Sequence, residues 1–237
     1  MGYVTVCDAL TAIAQAAYSA SNKRLTSTEH VDPSQHFSTK ERILGAAEEL
    51  FAQQGFSGTS LRQVTSRADV NLAAVNYHFG SKENLVNEVF RRRLDELSAR
   101  RMAALAEALQ APAPRLETIL AAFIEPALAL TLDRQGGSAF VRVLARAFAE
   151  KNEGLRRFLS DNYGHVLREF ARALAGELPA LDKDRLYWRL DFVAGALTYA
   201  MADFGLIKRP AGVGERAHCR RAASELIAFS AAALRAP

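Results

Sequence analysis

Between Asp69 and Leu85 the chain reads DVNLAAVNYHFGSKENL, gathering Asn71, Asn76, Tyr77, His78 and Lys82 within about three turns of helix. Most of these are neutral donors and acceptors. They form no nucleophile with a base, no metal set and no phosphate loop, so no catalytic residue and no metal ligand is assigned. They suit hydrogen bonding to base edges and phosphate oxygens instead. Asn71 and Asn76 can pair with adenine, and Leu72, Ala73 and Ala74 can touch a thymine methyl. Tyr77 and His78 suit phosphates, and Lys82 adds a charge beside the amides that open the next helix. Arg62, a little upstream, is the long cation placed to reach a guanine. Between Glu49 and Glu83 the sole carboxylate is Asp69, whereas Arg62, Arg67 and Lys82 share that window. A surface meant for phosphates should exclude acids in this way.

Rigid elements must hold these side chains together. Ser38 and Glu41 form a capping box that opens a helix, Ile43, Ala47, Leu50 and Phe51 repeat along one face, and Gly55 ends it. A short second helix after Thr59 or Ser60 turns Leu61, Val64 and Ala68 inward. Asn71 caps a third, with Val75 and Phe79 inward, and Gly80 stops it. Ser81 caps a long fourth with Leu85, Val89 or Phe90, Leu94 and Leu97 inward. Two short helices joined by a tight turn make a helix-turn-helix, whose second member enters the major groove.

Five further helices are expected at 115–132, 139–150, 153–176, 184–206 and 215–235, the first kinked at Pro126. The fold class is therefore all-α: an N-terminal three-helix helix-turn-helix domain, then a helical bundle, which the family resemblance given below makes the ligand-binding and dimerisation domain. The expected division is a flexible extension over 1–37, a DNA-binding domain over 38–94, and an effector-binding and dimerisation domain over 95–237. Apolar residues make up 49% and charged residues 24%, which excludes global disorder, and the charge of +4 permits nucleic-acid binding without demanding it. Cys7 and Cys219 match no metal or disulfide spacing, so a reducing cytoplasmic setting is expected with no cofactor. No apolar run is long enough for a membrane span, and the N-terminus lacks the basic start of a signal peptide.

Lys40–Leu94 resembles the DNA-binding domain of the tetracycline-repressor (TetR) family. The resemblance rests on Leu50-Phe51, Gly55-Phe56, Thr59-Ser60, Ala68, Val70, Tyr77-His78-Phe79 and Ser81-Lys82-Glu83. Two positions depart from the family pattern: Asp69 stands where Gly is usual, and Asn76 stands where an aromatic is common. The resemblance implies a homodimer on double-stranded DNA with a near-palindromic operator. It also implies an effector that repositions the fourth helix and releases DNA. NLAAVNYHFGSK and RLYWRLDFVAGALTYAM are similar to the fatty-acid-responsive PsrA-like branch, which implies a small apolar effector such as a long-chain fatty acid or an acyl thioester.

The helix at 184–206 is apolar on two sides, so it must be covered twice. Leu190, Val193, Leu197, Met201 and Phe204, with Ile227 and Ala231 on the last helix, are the expected interface between copies. Phe123, Phe140, Phe158, Tyr163, Trp188 and Phe192 are candidate lining for an effector pocket, with Arg142 and Arg146 as candidate anion anchors. The alternatives are a constitutive architectural DNA binder without ligand and a helical-bundle enzyme.

Overall fold

The structure, a computed structural model, describes residues 37–112, 115–133, 137–150, 152–202 and 209–236. The extension expected over 1–37 lies outside these residues except for Phe37. Ser38 opens α1 (Thr39–Gly58): its hydroxyl accepts from the Glu41 amide at 3.2 Å, and the Glu41 carboxylate accepts from the Ser38 amide at 2.8 Å. The reciprocal pair satisfies two amides that no helical turn can reach. The bond from the Ser38 backbone first, and then one that the Ser38 hydroxyl donates at 2.8 Å, hold the Glu41 carboxyl below its usual range. Ser60 and Gln63 repeat the device at α2 (Leu61–Ala68).

Asp69 closes α2 in the left-handed region at φ 51°, ψ 56°, a conformation that Asp tolerates better than most residues with a Cβ. Arg42 of α1 donates to the carbonyls of Ala68 and Asp69 at 2.7 and 2.6 Å. That clamp fixes where the chain leaves the turn for α3 (Leu72–Phe79). Gly80 and the Ser81 cap then start α4 (Lys82–Leu109), whose 28 residues extend about 42 Å. Ile43, Ala47, Phe51, Val64, Val75, Phe79, Leu85 and Phe90 are buried among these four helices. Leu50, Leu61 and Val70 pack against them partly buried. The inward positions expected from the sequence are the ones that pack.

Among the described residues the remainder is also helical, without strands: α5 (Leu116–Leu130), α6 (Gly137–Glu150), α7 (Glu153–Glu177), α8 (Lys183–Met201) and α9 (Glu215–Arg235). Pro126 sits inside α5 without ending it. The helix α5 is central, touching α4, α7, α8 and α9, while α6 lies mainly along α1 and also touches α8. No described helix is long and apolar enough to cross a membrane.

The structure settles which side of α8 faces its own bundle. Leu186, Leu190, Val193, Leu197 and Met201 are buried there, as is Ala231 of α9. Leu190, Val193, Leu197, Met201 and Ala231 are therefore core of the protomer, not an interface between copies. Ile227 is half-buried against the same core, and Phe204 lies outside the described residues. The other stripe is the uncovered one: Trp188 is 62% and Phe192 66% exposed, and Phe229 of α9 is 62% exposed.

Candidate nucleic-acid interface and the helices behind it

Helix α3 divides sharply into two faces. Val75 and Phe79 are buried, while Asn71, Leu72, Ala73, Asn76, Tyr77 and His78 are exposed, Tyr77 at 85%. Ala74 departs from expectation: it is half-buried and packed on the core, because it lies one residue from Val75 on the inward side. Tyr77 and His78 meet edge to face, 5.1 Å between ring centroids, so the two rings form one polar-edged shelf at the end of α3.

Asn71 holds a second job. Its side-chain oxygen accepts from the Ala74 amide at 2.9 Å, capping α3. Bidentate pairing with adenine needs that oxygen and the amide nitrogen together, so Asn71 can offer DNA only its NH2 without breaking the cap. Asn76 carries no such obligation and stands as the free amide on the exposed face.

The charges around α3 sort by partner. Arg67 is paired with Glu49 at 2.6 Å and Arg42 with Asp69 at 3.6 Å, so both are partly neutralised. Arg62 and Lys82 have no acidic partner among the described residues, and α3 itself carries no carboxylate. Lys82 occupies the first position of α4, beside amides whose positive end favours a phosphate.

Behind this surface α6 grips a break in α1. The glycine signal in the sequence ends the helix at Gly55; the chain instead kinks there, at φ 77°, ψ 174°, and resumes to Gly58. The kink strands backbone groups on both sides, and α6 satisfies them. The Glu150 carboxylate accepts from the Phe56 and Ser57 amides at 2.9 and 3.2 Å. Arg146 donates to the Gln53 carbonyl at 3.3 Å. This bond places Arg146, expected from the sequence as an anion anchor, at the kink.

Gly55 is required twice over. Its backbone lies in a region almost confined to glycine, and a Cβ there would collide with the Glu150 carboxylate. Gly55→Ala is expected to lower stability by about 1–3 kcal/mol. Glu150→Ala should cost a similar amount by leaving two amides unpaired, about 1–3 kcal/mol. Urea denaturation of both variants checks this, and the double variant should lose less than the sum of the singles because both act on one contact.

The remaining residues expected around an effector separate into distinct packing groups. Phe140 is buried against Phe90, and Phe123 against Phe170. Phe158 and Tyr163 meet each other on α7, and the Tyr163 hydroxyl donates to Asp95 of α4 at 2.7 Å. Desolvation first, and then Asp95, push the Tyr163 phenol well above its usual range. Trp188 and Phe192 stack on each other on the outer side of α8 and face away from the bundle. Arg142 is half-buried on α6. These candidate side chains fall into separate packing groups among the described residues, since aromatic content alone does not fix which helices bring rings together.

Two residues absent from the sequence reading complete the picture. Arg93, buried on α4, holds Glu48 of α1 at 3.3 Å and Asp133, just past α5, at 2.9 Å. Arg101, about two turns further along α4, lies with its guanidinium 3.9 Å over the Phe123 ring. Both follow the spacing of Leu97 and Leu105, the one signal that marks them as inward-facing.

Comparison with known proteins agrees with this architecture. Residues 43–89 match the family described as "Bacterial regulatory proteins, tetR family", and residues 121–233 match "Tetracyclin repressor-like, C-terminal domain". The probable HTH-type transcriptional regulator YttP of Bacillus subtilis is 47% identical over 57 residues, 22% of this chain and 28% of that protein. The HTH-type transcriptional repressor Rv3405c of Mycobacterium tuberculosis is 40% identical over 108 residues, 46% of this chain and 45% of that protein. The chain thus spans less than half the length of either relative. Among solved structures, a putative tetR family transcription regulator from Shewanella sp. PV-4 shares the fold at TM-score 0.60 and 20% identity, over 82% of this chain and 96% of that one. The TetR family regulator PfmR from Thermus thermophilus does so at TM-score 0.54 and 20% identity, over 85% and 98%. With a helix-turn-helix head, an acid-free exposed α3 and matches at both ends of the chain, the protein belongs to the TetR family of DNA-binding transcriptional regulators.

Proposed function

We propose that the protein is a homodimeric repressor, acting in the cytoplasm, that reads a near-palindromic operator and leaves it when a small apolar effector binds. The observation that carries the DNA-reading part is the exposed face of α3, free of carboxylates and flanked by Arg62 and Lys82, cations without an acidic partner among the described residues. Leu72, Ala73 and Asn76 would meet base edges together with Arg62, while Tyr77, His78 and Lys82 would hold phosphates. Residues 38–94 form the reading head and 95–237 the effector and dimer domain. The repressor sign follows the printed name of the Mycobacterium tuberculosis relative. The effector class, a long-chain fatty acid or acyl thioester, follows the PsrA-like resemblance and the apolar interior of α4, α5 and α7. The family consists of transcriptional regulators, not enzymes.

Fluorescence anisotropy with DNA from upstream of its own gene, against scrambled DNA across a salt series, tests the reading. Tyr77→Ala and Lys82→Ala should weaken binding to both DNAs, and Lys82→Ala should flatten the salt slope by about one. Arg62→Ala should weaken binding to both DNAs and cost about 1–3 kcal/mol more, the worth of one base contact, on the native fragment. Asn71→Ala should act mainly through the lost cap, lowering stability by about 0.5–2 kcal/mol. Tyr77→Ala binding as tightly as the wild type would remove the phosphate assignment. Added fatty acids that release the wild type from DNA separate an effector-responsive repressor from a constitutive binder.

A further inference from the structure

The inward stripe of α4 carries two arginines where a helix normally carries only apolar residues. Leu97, Leu105 and Ala108 of that stripe are buried, and Arg93 and Arg101 stand in register with them. Burying a guanidinium is costly unless it is paired and fully hydrogen-bonded. Arg93 meets that demand with Glu48 and Asp133. Arg101 does not.

The Nε of Arg101 donates to the Phe123 carbonyl at 2.9 Å, and its plane covers the Phe123 ring, which meets Phe170 of α7 edge to face at 5.1 Å. No carboxylate pairs with it among the described residues, and its two terminal nitrogens have no partner there. Nor are those nitrogens sealed from outside: Ser230 Oγ is the sole sealed side-chain polar atom without a partner among the described residues. Burial alone draws the Arg101 pKa down to about 10, so the group stays cationic at neutral pH. A cation is held at the junction of α4, α5 and α7 with the fork end of its guanidinium uncommitted.

We infer that Arg101 is the anion anchor of the effector site and that the effector is a free carboxylate on an apolar body. The fork of terminal N–H groups matches the two oxygens of a carboxylate, and the Phe123 ring supplies an apolar floor beneath the guanidinium. This rests on the effector reading above and sharpens it, since a neutral thioester carbonyl would leave the guanidinium charge unanswered whereas a free acid would not. The position also gives the ligand purchase on the head. Arg101 belongs to the same helix that begins at Lys82 beside α3, so a carboxylate drawn to it acts on the element that carries the reading surface.

The test measures binding of dodecanoate, hexadecanoate and phenylacetate, with their methyl esters, to the full chain by thermal shift and titration calorimetry. Wild type is compared with Arg101→Met and Arg101→Lys. Removing a half-buried charge that lacks a counter-ion among the described residues should leave Arg101→Met folded and about as stable, checked by circular dichroism and its melting temperature without ligand. A carboxylate should bind the wild type and weaken about tenfold to a hundredfold in Arg101→Met. Arg101→Lys, which keeps the charge and loses the fork, should fall between, and ester binding should be indifferent to both variants. Equal carboxylate binding by wild type and Arg101→Met overturns the anchor while the effector reading stands. So does binding of esters without acids. No binding of any compound to the wild type removes the acyl effector reading and the anchor with it.

Discussion

Replacing Arg93 with alanine is expected to cost about 3–5 kcal/mol of stability. The reason is what it leaves behind. Glu48 is 3% exposed on α1, and its carboxyl is already raised above the ordinary value by burial, with Arg93 as the main opposing influence. Without Arg93 a buried carboxylate must stay charged and unpaired or take up a proton. Asp133, at 35% side-chain exposure, can return to water and adds little to the loss. The sign of the pH dependence follows. A carboxyl raised in the folded state binds more protons there than in the unfolded chain, so its contribution declines as pH climbs from the ordinary carboxylate value through the raised one. Removing Arg93 raises Glu48 further and widens that window upward. Arg93→Ala should therefore lose more stability at about pH 8 than at about pH 5, and adding Glu48→Gln should recover much of the deficit at the higher pH. Urea denaturation at both pH values decides it. A variant equally stable to wild type at the higher pH would mean that the triad contributes nothing.

The same triad shows what the sequence could and could not reveal. The reading head was legible because its signals are local: Ser38 with Glu41 for a cap, Asp69 for a left-handed turn, and Val75 with Phe79 for the inward side of a short helix. Each is decided within a few residues by backbone sterics and hydrogen bonding. Glu150 is of another kind. It sits far along the chain from the Phe56 and Ser57 amides it caps, and nothing near it in sequence announces a kinked helix elsewhere. Arg101 lies in the basic run RRRLDELSARRM, where the charges read as a solvated surface until the i, i+4 spacing from Leu97 is followed through. Helix α8 misled for a different reason. Two apolar stripes of similar strength give periodicity no basis for choosing between them. The distinguishing chemistry is finer: the aliphatic stripe of Leu, Val and Met fits a close-packed core, while the stripe interrupted by Asp184 and Asp191 and carrying Tyr187 and Trp188 is amphipathic. Aromatic residues with a polar edge favour surfaces that are covered by a partner.

The contacts behind α3 also give the proposed release a physical route. Among the described residues the head meets the bundle through α4 itself, through Arg93 bridging α1 to the segment after α5, through Phe90 packed on Phe140, and through Glu150 and Arg146 of α6 holding the kink in α1. A ligand that shifted α4 alone would work against the other joints. Movement of α4 and α6 together would carry α1 as well, and with it the orientation of α3. Close-packed joints of this kind favour discrete arrangements over continuous flexing.

Trp188→Glu with Phe192→Glu is expected to convert dimer to monomer and to weaken operator binding by at least about a hundredfold. Trp188, Phe192 and Phe229 are each more than 60% exposed on neighbouring helices α8 and α9, and Tyr187 and Tyr199 of α8 are partly exposed as well. Water-exposed aromatic surface of that extent is costly on a monomer and marks a docking face. A second copy is the occupant that the proposed operator symmetry requires, because a two-fold protein presents two α3 helices to two half-sites. Carboxylates at the patch would have to be desolvated without partners, which opposes association strongly. The head would remain intact, so each monomer keeps its own contacts and loses only the advantage of tethering to the second half-site, about a hundredfold or more. Leu190→Ala supplies the contrast. It removes buried volume from the protomer core and should cost about 2–5 kcal/mol of stability, while leaving folded molecules dimeric. Sedimentation velocity on both variants, followed by anisotropy on one-half-site and two-half-site DNA, tells the faces apart. A Trp188/Phe192 double variant that sediments as wild type would place the interface elsewhere. One that dissociates but binds the single half-site as before would show that the aromatic stripe of α8, not the aliphatic one, joins the two reading heads.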